Sequence, residues 1–208
     1  MMNKKCLALF GLKATGKTTF CNFLKSKYNA SIIYLSRMLE KKVCKLTNGN
    51  QIYYELKFKL NNRIPLMNYL KNEIKEIIDN SNFIVIEGML CEEDCKWFKE
   101  NFGIECLRIY IENNDNELRF KRYSKRNNYS IETAKEKLQE SDRLRISSFI
   151  NSGIDVIIKN DTSMKDFENK IDLVMAKLFS KKAENNGDDK SIVRHQYKLN
   201  FQKSNLVI

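Results

Sequence analysis

The chain has 208 residues, 42% of them apolar, with 12 Phe and 9 Tyr, so it can bury a core and wholesale disorder is excluded. Lys plus Arg is 37 against 26 for Asp plus Glu, a formal charge of +11, which points to polyanions: nucleic acid, anionic membrane or phosphorylated small molecules. A single Pro and only 7 Gly exclude collagen-like and Pro-rich chains and argue against a turn-dense β-sandwich.

The N-terminus, MMNKKCLALFG, opens with lysines and an apolar stretch, as a signal peptide does. The stretch runs only from Cys6 to Phe10 before Gly11 and Lys13 cut it, too short for an h-region. Nor does any apolar run approach the ~20 residues that span a bilayer, so no membrane partner is expected. Lys5–Phe10 therefore reads as a buried strand. Directly after it stands Gly11-Leu12-Lys13-Ala14-Thr15-Gly16-Lys17-Thr18, the G-x-x-x-x-G-K-[ST] pattern, and Lys17–Tyr28 then has helical period. Strand before and helix after are the setting in which this pattern cradles phosphate. Gly11 and Gly16 permit backbone angles that turn successive N–H groups inward, and the helix aims its positive end at the same anion. Lys17 reaches the β- and γ-phosphates, Thr18 offers a hydroxyl to Mg²⁺, and Ala14, Thr15 and Thr19 complete the phosphate loop. The bland alternative, a Gly-containing turn with a chance Lys-Thr, has no need of the flanking strand and helix.

Further along, Ser31–Leu35 reads as a strand and Arg37–Leu46 as a helix, followed by a polar turn at Thr47–Gln51. Ile52–Asn61 and Leu66–Asp79 look helical, separated by Pro65. Phe83-Ile84-Val85-Ile86-Glu87-Gly88 is a buried strand that ends in an acid. Many buried strands end in Glu; beside a phosphate loop, Glu87 can hold Mg²⁺ through water or accept a proton from an acceptor hydroxyl. Glu92–Asn101 is a predicted helix and Glu105–Ile111 a predicted strand. Asn116–Arg126 and Ile131–Ile150 are predicted helices around a polar hinge at Asn127–Ser130. Arg119, Arg122 and Arg126, spaced by three and four, share one helix face, either to meet an anion or as a solvated basic surface. Asp155–Lys159 is a last strand, and Asn160-Asp161-Thr162-Ser163 leads into a helix at Met164–Ser180. Five strand-length apolar runs separated by helices predict an α/β fold with a parallel sheet covered on both faces. Residues 183–208 are polar at first and show little period, and read as a tail that is mobile, docks elsewhere or adds an edge strand.

The six cysteines, Cys6, Cys21, Cys44, Cys91, Cys95 and Cys106, are scattered through apolar segments, as reduced core thiols of a cytoplasmic protein are. Cys91 and Cys95 are close enough to share a helix face. A zinc site needs about four ligands, and the only histidine is the distant His195.

The phosphate loop, the FIVIEG segment and the arginine-bearing stretch NELRFKRYSKRNNYSIETAKEKLQESD together resemble small P-loop kinases of the nucleoside monophosphate kinase group, especially dephospho-CoA kinases. The Asp-x-Asp that dephospho-CoA kinases carry early is absent here. The resemblance implies a P-loop NTPase fold: a five-stranded parallel sheet, helices on both faces and a small helical lid. It implies one kinase-like domain over 1–182, with the lid at about 116–145 and an acceptor-binding region at about 36–80. By the same resemblance Arg119 would lie against adenine and phosphates, and Arg122 or Arg126 would close on the transferred phosphoryl. Asp142 can hold a lid arginine and Arg143 can reach phosphate, with plain surface charge as the alternative. Asn160 and Asp161 would form the adenine-side loop, where Asp161 or Ser163 can equally be a helix N-cap. Arg37, Arg63 and Gly88 are the acceptor-side candidates. Tyr53, Tyr54 and Phe58 can stack a base or fill core.

The reading is an ATP-dependent phosphotransferase with Lys17, Glu87, Arg122 and Arg126 at the chemistry, ATP and Mg²⁺ as cofactors, and a small nucleotide-like or phosphorylated acceptor. Two other functions stay open: a regulatory or assembly NTPase whose bound nucleotide switches a protein partner, and a polynucleotide 5′-end kinase. The charge is spread over many helices rather than gathered in one stripe, which favours a small-molecule partner over nucleic acid.

Overall fold

β1 (Lys5–Phe10) is the middle strand of a five-stranded, all-parallel sheet. The order is β2-β3-β1-β4-β5, with β2 at Ser31–Tyr34, β3 at Phe83–Glu87, β4 at Leu107–Glu112 and β5 at Val156–Lys159. The computed structural model describes residues 4–46, 63–149 and 153–180. Among them run eight helices: α1 (Lys17–Tyr28), α2 (Leu35–Leu46), α3 (Arg63–Tyr69), α4 (Lys71–Asp79), α5 (Glu92–Phe102), α6 (Asn116–Asn127), α7 (Ile131–Phe149) and α8 (Met164–Ser180). The predicted turn at Thr47–Gln51, the predicted helix at Ile52–Asn61 with Tyr53, Tyr54 and Phe58, and the tail at 183–208 lie outside the described residues.

The expected α/β sheet is the observed one, and its two-sided burial follows from the alternation of side chains along each strand. Along β1, Cys6, Ala8 and Phe10 face one layer, while Leu7 and Leu9 face the other. The first layer is closed by Leu35 and Leu39 of α2, Met67 of α3, Ile74 and Ile78 of α4, and Trp97 and Phe98 of α5. The second is closed by Phe20, Cys21 and Leu24 of α1 with Phe167, Ile171 and Met175 of α8. Each large apolar side chain fully removed from water contributes about 1.5–3 kcal/mol, so these two layers carry the fold. The α6–α7 pair has a smaller core of its own, Phe120, Tyr123, Ala134 and Leu138, against which Ala14 of the loop after β1 packs.

Several element ends move by one residue, among them Phe102, Asn127 (expected in the hinge) and Val156, and four further differences from expectation have local reasons. β2 stops at Tyr34 and α2 begins at Leu35, because the buried Leu35 serves the helix layer rather than a fifth sheet position. Arg63 opens α3 instead of sitting in a loop, and Pro65 lies in that helix's first turn, where its missing N–H leaves no intrahelical bond unmade. The single helix expected over Leu66–Asp79 is two, since the Leu70 N–H bonds the carbonyl of Met67, three residues back, and α4 restarts at Lys71. β4 is shifted to Leu107–Glu112, in register with β1 from Leu7 opposite Leu107. One position earlier, Cys6 Sγ and Cys106 Sγ lie 2.6 Å apart, and burial followed by this neighbouring thiol pushes Cys6 up. Burial also pushes Cys91 and Cys95 up to about 12, which keeps both protonated at neutral pH. Among the described residues no helix is long and apolar enough to cross a membrane.

The strand order places a crevice. β1 is flanked by β3 and β4, so the chain leaves the sheet centre in opposite directions and opens a cleft at the carboxyl ends of the strands, where ligands of open α/β sheets bind.

Candidate active site

The loop from Gly11 to Gly16 leaves β1 at that cleft. Gly11 has φ 141° and Gly16 φ 107°, angles that a side chain would oppose, and Ala14 between them is also left-handed at φ 62°. For an alanine that conformation costs about 1–2 kcal/mol, so the surroundings must hold it. Gly16 precedes α1 without a side-chain cap, and the first turn of α1 has no acidic residue. Its N–H groups and positive dipole end are therefore compatible with an external anion. Lys17 is nearly buried, and its Nζ donates to the carbonyls of Gly11 at 2.8 Å and Leu12 at 2.6 Å. The Thr15 hydroxyl donates to Leu12 O at 3.0 Å, so its side chain stiffens the loop instead of lining the cleft.

A cavity of about 670 Å³ opens over this loop, within the usual range for small-ligand sites. Lys13, Ala14, Gly16, Lys17, Thr18 and Thr19 form its floor. The opposite wall is the end of β3, Glu87 and Gly88, with Ser36, Arg37 and Glu40 from the start of α2. Tyr34 pairs in register with Glu87, and the Arg37 guanidinium sits 4.6 Å from the centre of the Tyr34 ring. A guanidinium over an aromatic face is held in place by the ring's charge distribution. These groups are close enough to act on one another. Burial pushes the Cys21 thiol up, the Glu87 carboxylate adds to the shift, and Lys17 and Arg37 oppose it. Tyr34 is raised first by burial, with Arg37 and Glu87 acting in opposite senses.

Gly88 fixes the spacing of that wall. Its φ is 100°, and a Cβ there would run into the Ser36 hydroxyl. Gly88→Ala is expected to destabilise the protein by about 1–3 kcal/mol, read as a lowered Tm in thermal unfolding.

The α6–α7 pair forms the third wall, through Arg122, Tyr123, Arg126 and Asn127. Arg122 is half-buried, and its Nη1 is buried without a hydrogen-bond partner. Arg126 stacks on Tyr123 at 5.3 Å. Arg119, expected on the same face, does not reach the cavity. It is buried at 3% exposure and spends its donors on Asp142 Oδ2 at 2.6 Å, Asn116 Oδ1 at 3.0 Å and the carbonyl of Lys13 at 3.2 Å. The reason is that residues three apart on a helix point about 60° apart, enough to turn one inward while its neighbour faces the cleft. Asp142 thus holds an arginine, and Arg143 is exposed.

The structure brings together Ala14, Gly16, Lys17, Thr18, Thr19, Arg37, Glu87, Gly88, Arg122 and Arg126 around one cavity. Gly11, Thr15 and Asn160 stand behind it. Asn160 is buried and its Nδ2 donates to Thr15 O at 2.7 Å, so its side chain faces the loop backbone, while Asp161 is exposed beside Lys170 at 3.7 Å. Arg63 begins α3, and its side chain lies outside the described residues. Sequence reasoning missed Tyr123 and Asn127 on the third wall, and also Tyr34, Ser36 and Glu40. The 36–40 spacing on a helix that starts at a strand end next to Glu87 was the available signal for the last two.

The profile of a family described as an AAA domain matches residues 7–144. No curated protein matches the chain. Among solved structures, the chain is similar to a shikimate kinase from Bacteroides thetaiotaomicron, with 13% identity and a TM-score of 0.53, covering 84% of this chain and 98% of that one. It is similar also to a shikimate kinase from Acinetobacter baumannii solved with shikimate, with 15% identity, a TM-score of 0.53, and coverage of 87% and 96%. An uncharacterized protein from Eubacterium ventriosum gives 14% identity, a TM-score of 0.54, and coverage of 84% and 98%. At these identities the likeness is one of fold.

Proposed function

The chain belongs to this AAA-domain family and has the fold of a P-loop small-molecule kinase, and from that premise we propose that it is an ATP-dependent phosphotransferase acting on a small anionic acceptor, nucleotide-like or phosphorylated. The observation that carries the reading is the single cavity shared by the loop, the Glu87–Arg37 wall and the Arg122–Arg126 wall. A nucleotide on the loop and an acceptor against α2 would then meet within one cleft, which is how such enzymes gain from proximity.

In this reading Lys17 exchanges its two carbonyl partners for the β- and γ-phosphates. Arg122, which has an unpaired buried donor, and Arg126 stabilise the charge that spreads over the transferring phosphoryl. Thr18 and Glu87 line the same space and supply the hydroxyl and carboxylate that suit Mg²⁺, with Glu87 acting through water. When bound, Mg²⁺ neutralises charge on the phosphate oxygens. Glu87 can also take a hydrogen bond from the acceptor hydroxyl. Arg37, steadied by Tyr34, receives the acceptor's anionic group, and Gly88 lets that group approach the wall. The α6–α7 pair serves as the lid of a domain that extends over 1–182.

The test is ADP formation from Mg·ATP against a panel of nucleoside and deoxynucleoside monophosphates, dephospho-CoA, shikimate and a 5′-hydroxyl oligonucleotide. Acceleration by one small acceptor is expected. No acceleration by any of them over the acceptor-free rate counts against the kinase reading. Acceleration by the oligonucleotide alone moves the activity to a polynucleotide end.

A further inference from the structure

Two carbonyls flank the left-handed Ala14, and each is held from behind the cavity. Lys13 O accepts from Nε and Nη2 of Arg119, both at 3.2 Å. Thr15 O accepts from Nδ2 of Asn160 at 2.7 Å. The two holders are themselves joined. The backbone carbonyl of Asn160 accepts from the side-chain amide of Asn113, and the Asn160 N–H bonds Glu112 O at 2.8 Å. Asn113 Oδ1 accepts from the N–H of Asp115 at 3.0 Å. Asp115 caps α6 by accepting from Leu118 N–H at 2.9 Å, and its carbonyl accepts from the N–H of Arg119 at 3.1 Å. The circuit therefore starts and ends on the phosphate loop, one residue to each side of Ala14.

Asn113, Asn160 and Arg119 are 5%, 5% and 3% exposed, and none of them lines the cavity. Each asparagine has only one amide orientation that works. An oxygen in place of Nδ2 on Asn160 would face Thr15 O, and exchanging the two ends of Asn113 would set N–H against N–H at Asp115. Buried amides with fixed polarity are costly to leave unpaired, so the network defines one geometry for the loop rather than a family of them.

We propose that Asn113 and Asn160 are positioning residues that preset the loop for a nucleotide's phosphates and fix it to the root of α6, which carries Arg122 and Arg126. This goes beyond an adenine-side role for Asn160 and assigns a role to Asn113, which no motif marks. It rests on the reading of Gly11–Thr18 as a nucleotide site. A loop already in its binding geometry gives up less conformational freedom on binding, so the network should appear in nucleotide affinity and not only in stability.

The experiment is calorimetric titration of Mg·ADP into the full chain, with thermal unfolding of each variant, at a temperature where all are folded. Asn160→Ala and the isosteric Asn160→Asp are each expected to weaken Mg·ADP about tenfold or more, and Asn113→Ala about fivefold. Because Asn113 acts through Asn160, the double alanine variant is expected to bind no more weakly than Asn160→Ala alone. Affinities within twofold of the unaltered chain for Asn160→Ala and Asn160→Asp, with a lowered Tm, overturn the proposal, since the network then only holds the fold. Fully additive losses in the double variant overturn the link between the two asparagines. Lys17→Ala separates this from the underlying reading. If it loses affinity while the asparagine variants do not, only the positioning role fails. If it binds Mg·ADP like the unaltered chain, or the unaltered chain does not bind, both fail. Should Asn160→Ala not fold, Asn160→Asp and Asn113→Ala carry the test.

Discussion

Lys17→Ala is expected to lower ATP-dependent phosphoryl transfer by at least about a hundredfold, the usual loss when one charged donor is removed from a transition state that spreads charge over phosphate oxygens. The size of the effect follows from where Lys17 sits. Its ammonium is nearly buried at the N-terminal turn of α1 and already points into the loop, donating to Gly11 O and Leu12 O. A charge held there interacts with an arriving phosphate through a poorly solvated path, where it is worth far more than a surface lysine. The same substitution takes the Lys17 donor from Gly11 O and leaves Leu12 O with the Thr15 hydroxyl alone, so a modest fall in Tm is expected as well. Transfer is measured with saturating acceptor and Mg·ATP, below the melting range of the variant. Transfer at the unaltered rate would show that the loop is not the nucleotide site.

Why this position is readable from sequence, while the wall opposite is not, has a physical cause. The loop is local: glycine angles, a helix start and a lysine lie within eight consecutive residues, Gly11 to Thr18, and the strand and helix around them have clear periods. Glu87 is also local, at the end of an unbroken apolar run. Arg119, Arg122 and Arg126 are legible as a set, but spacing gives only a shared face. Which of them turns inward depends on Asp142, 23 residues away, and on the Lys13 carbonyl, 106 residues away. Tyr34 and Arg37 meet because β2 ends one residue sooner than its apolar run suggests, which starts α2 at Leu35. Asn160 is legible as part of a strand-end loop but not as a partner of the Thr15 carbonyl, and Asn113 carries no local signal, since the two buried asparagines meet only when β4 and β5 lie side by side.

The Arg119–Asp142 pair separates stability from binding. Asp142→Ala is expected to destabilise the protein by about 3 kcal/mol, the lower part of the range for stripping one partner from a buried ion pair. The lower part applies because Arg119 keeps Asn116 Oδ1 and Lys13 O as neutral acceptors, and because the Asp142 side chain is 15% exposed against 3% for Arg119. For a chain of this size that is a Tm lower by roughly 6–12 °C. The double replacement Arg119→Met, Asp142→Leu removes both charges and is expected to recover most of the loss, since apolar groups of similar volume often do as well as a buried pair. It does not restore the donors on Lys13 O. If those donors hold Ala14 in its left-handed conformation, the double variant regains its melting temperature but still binds Mg·ADP more weakly than the unaltered chain. Recovery of both together would mean that Arg119 serves the packing of α6 on α7 alone, and that the loop keeps its shape without it.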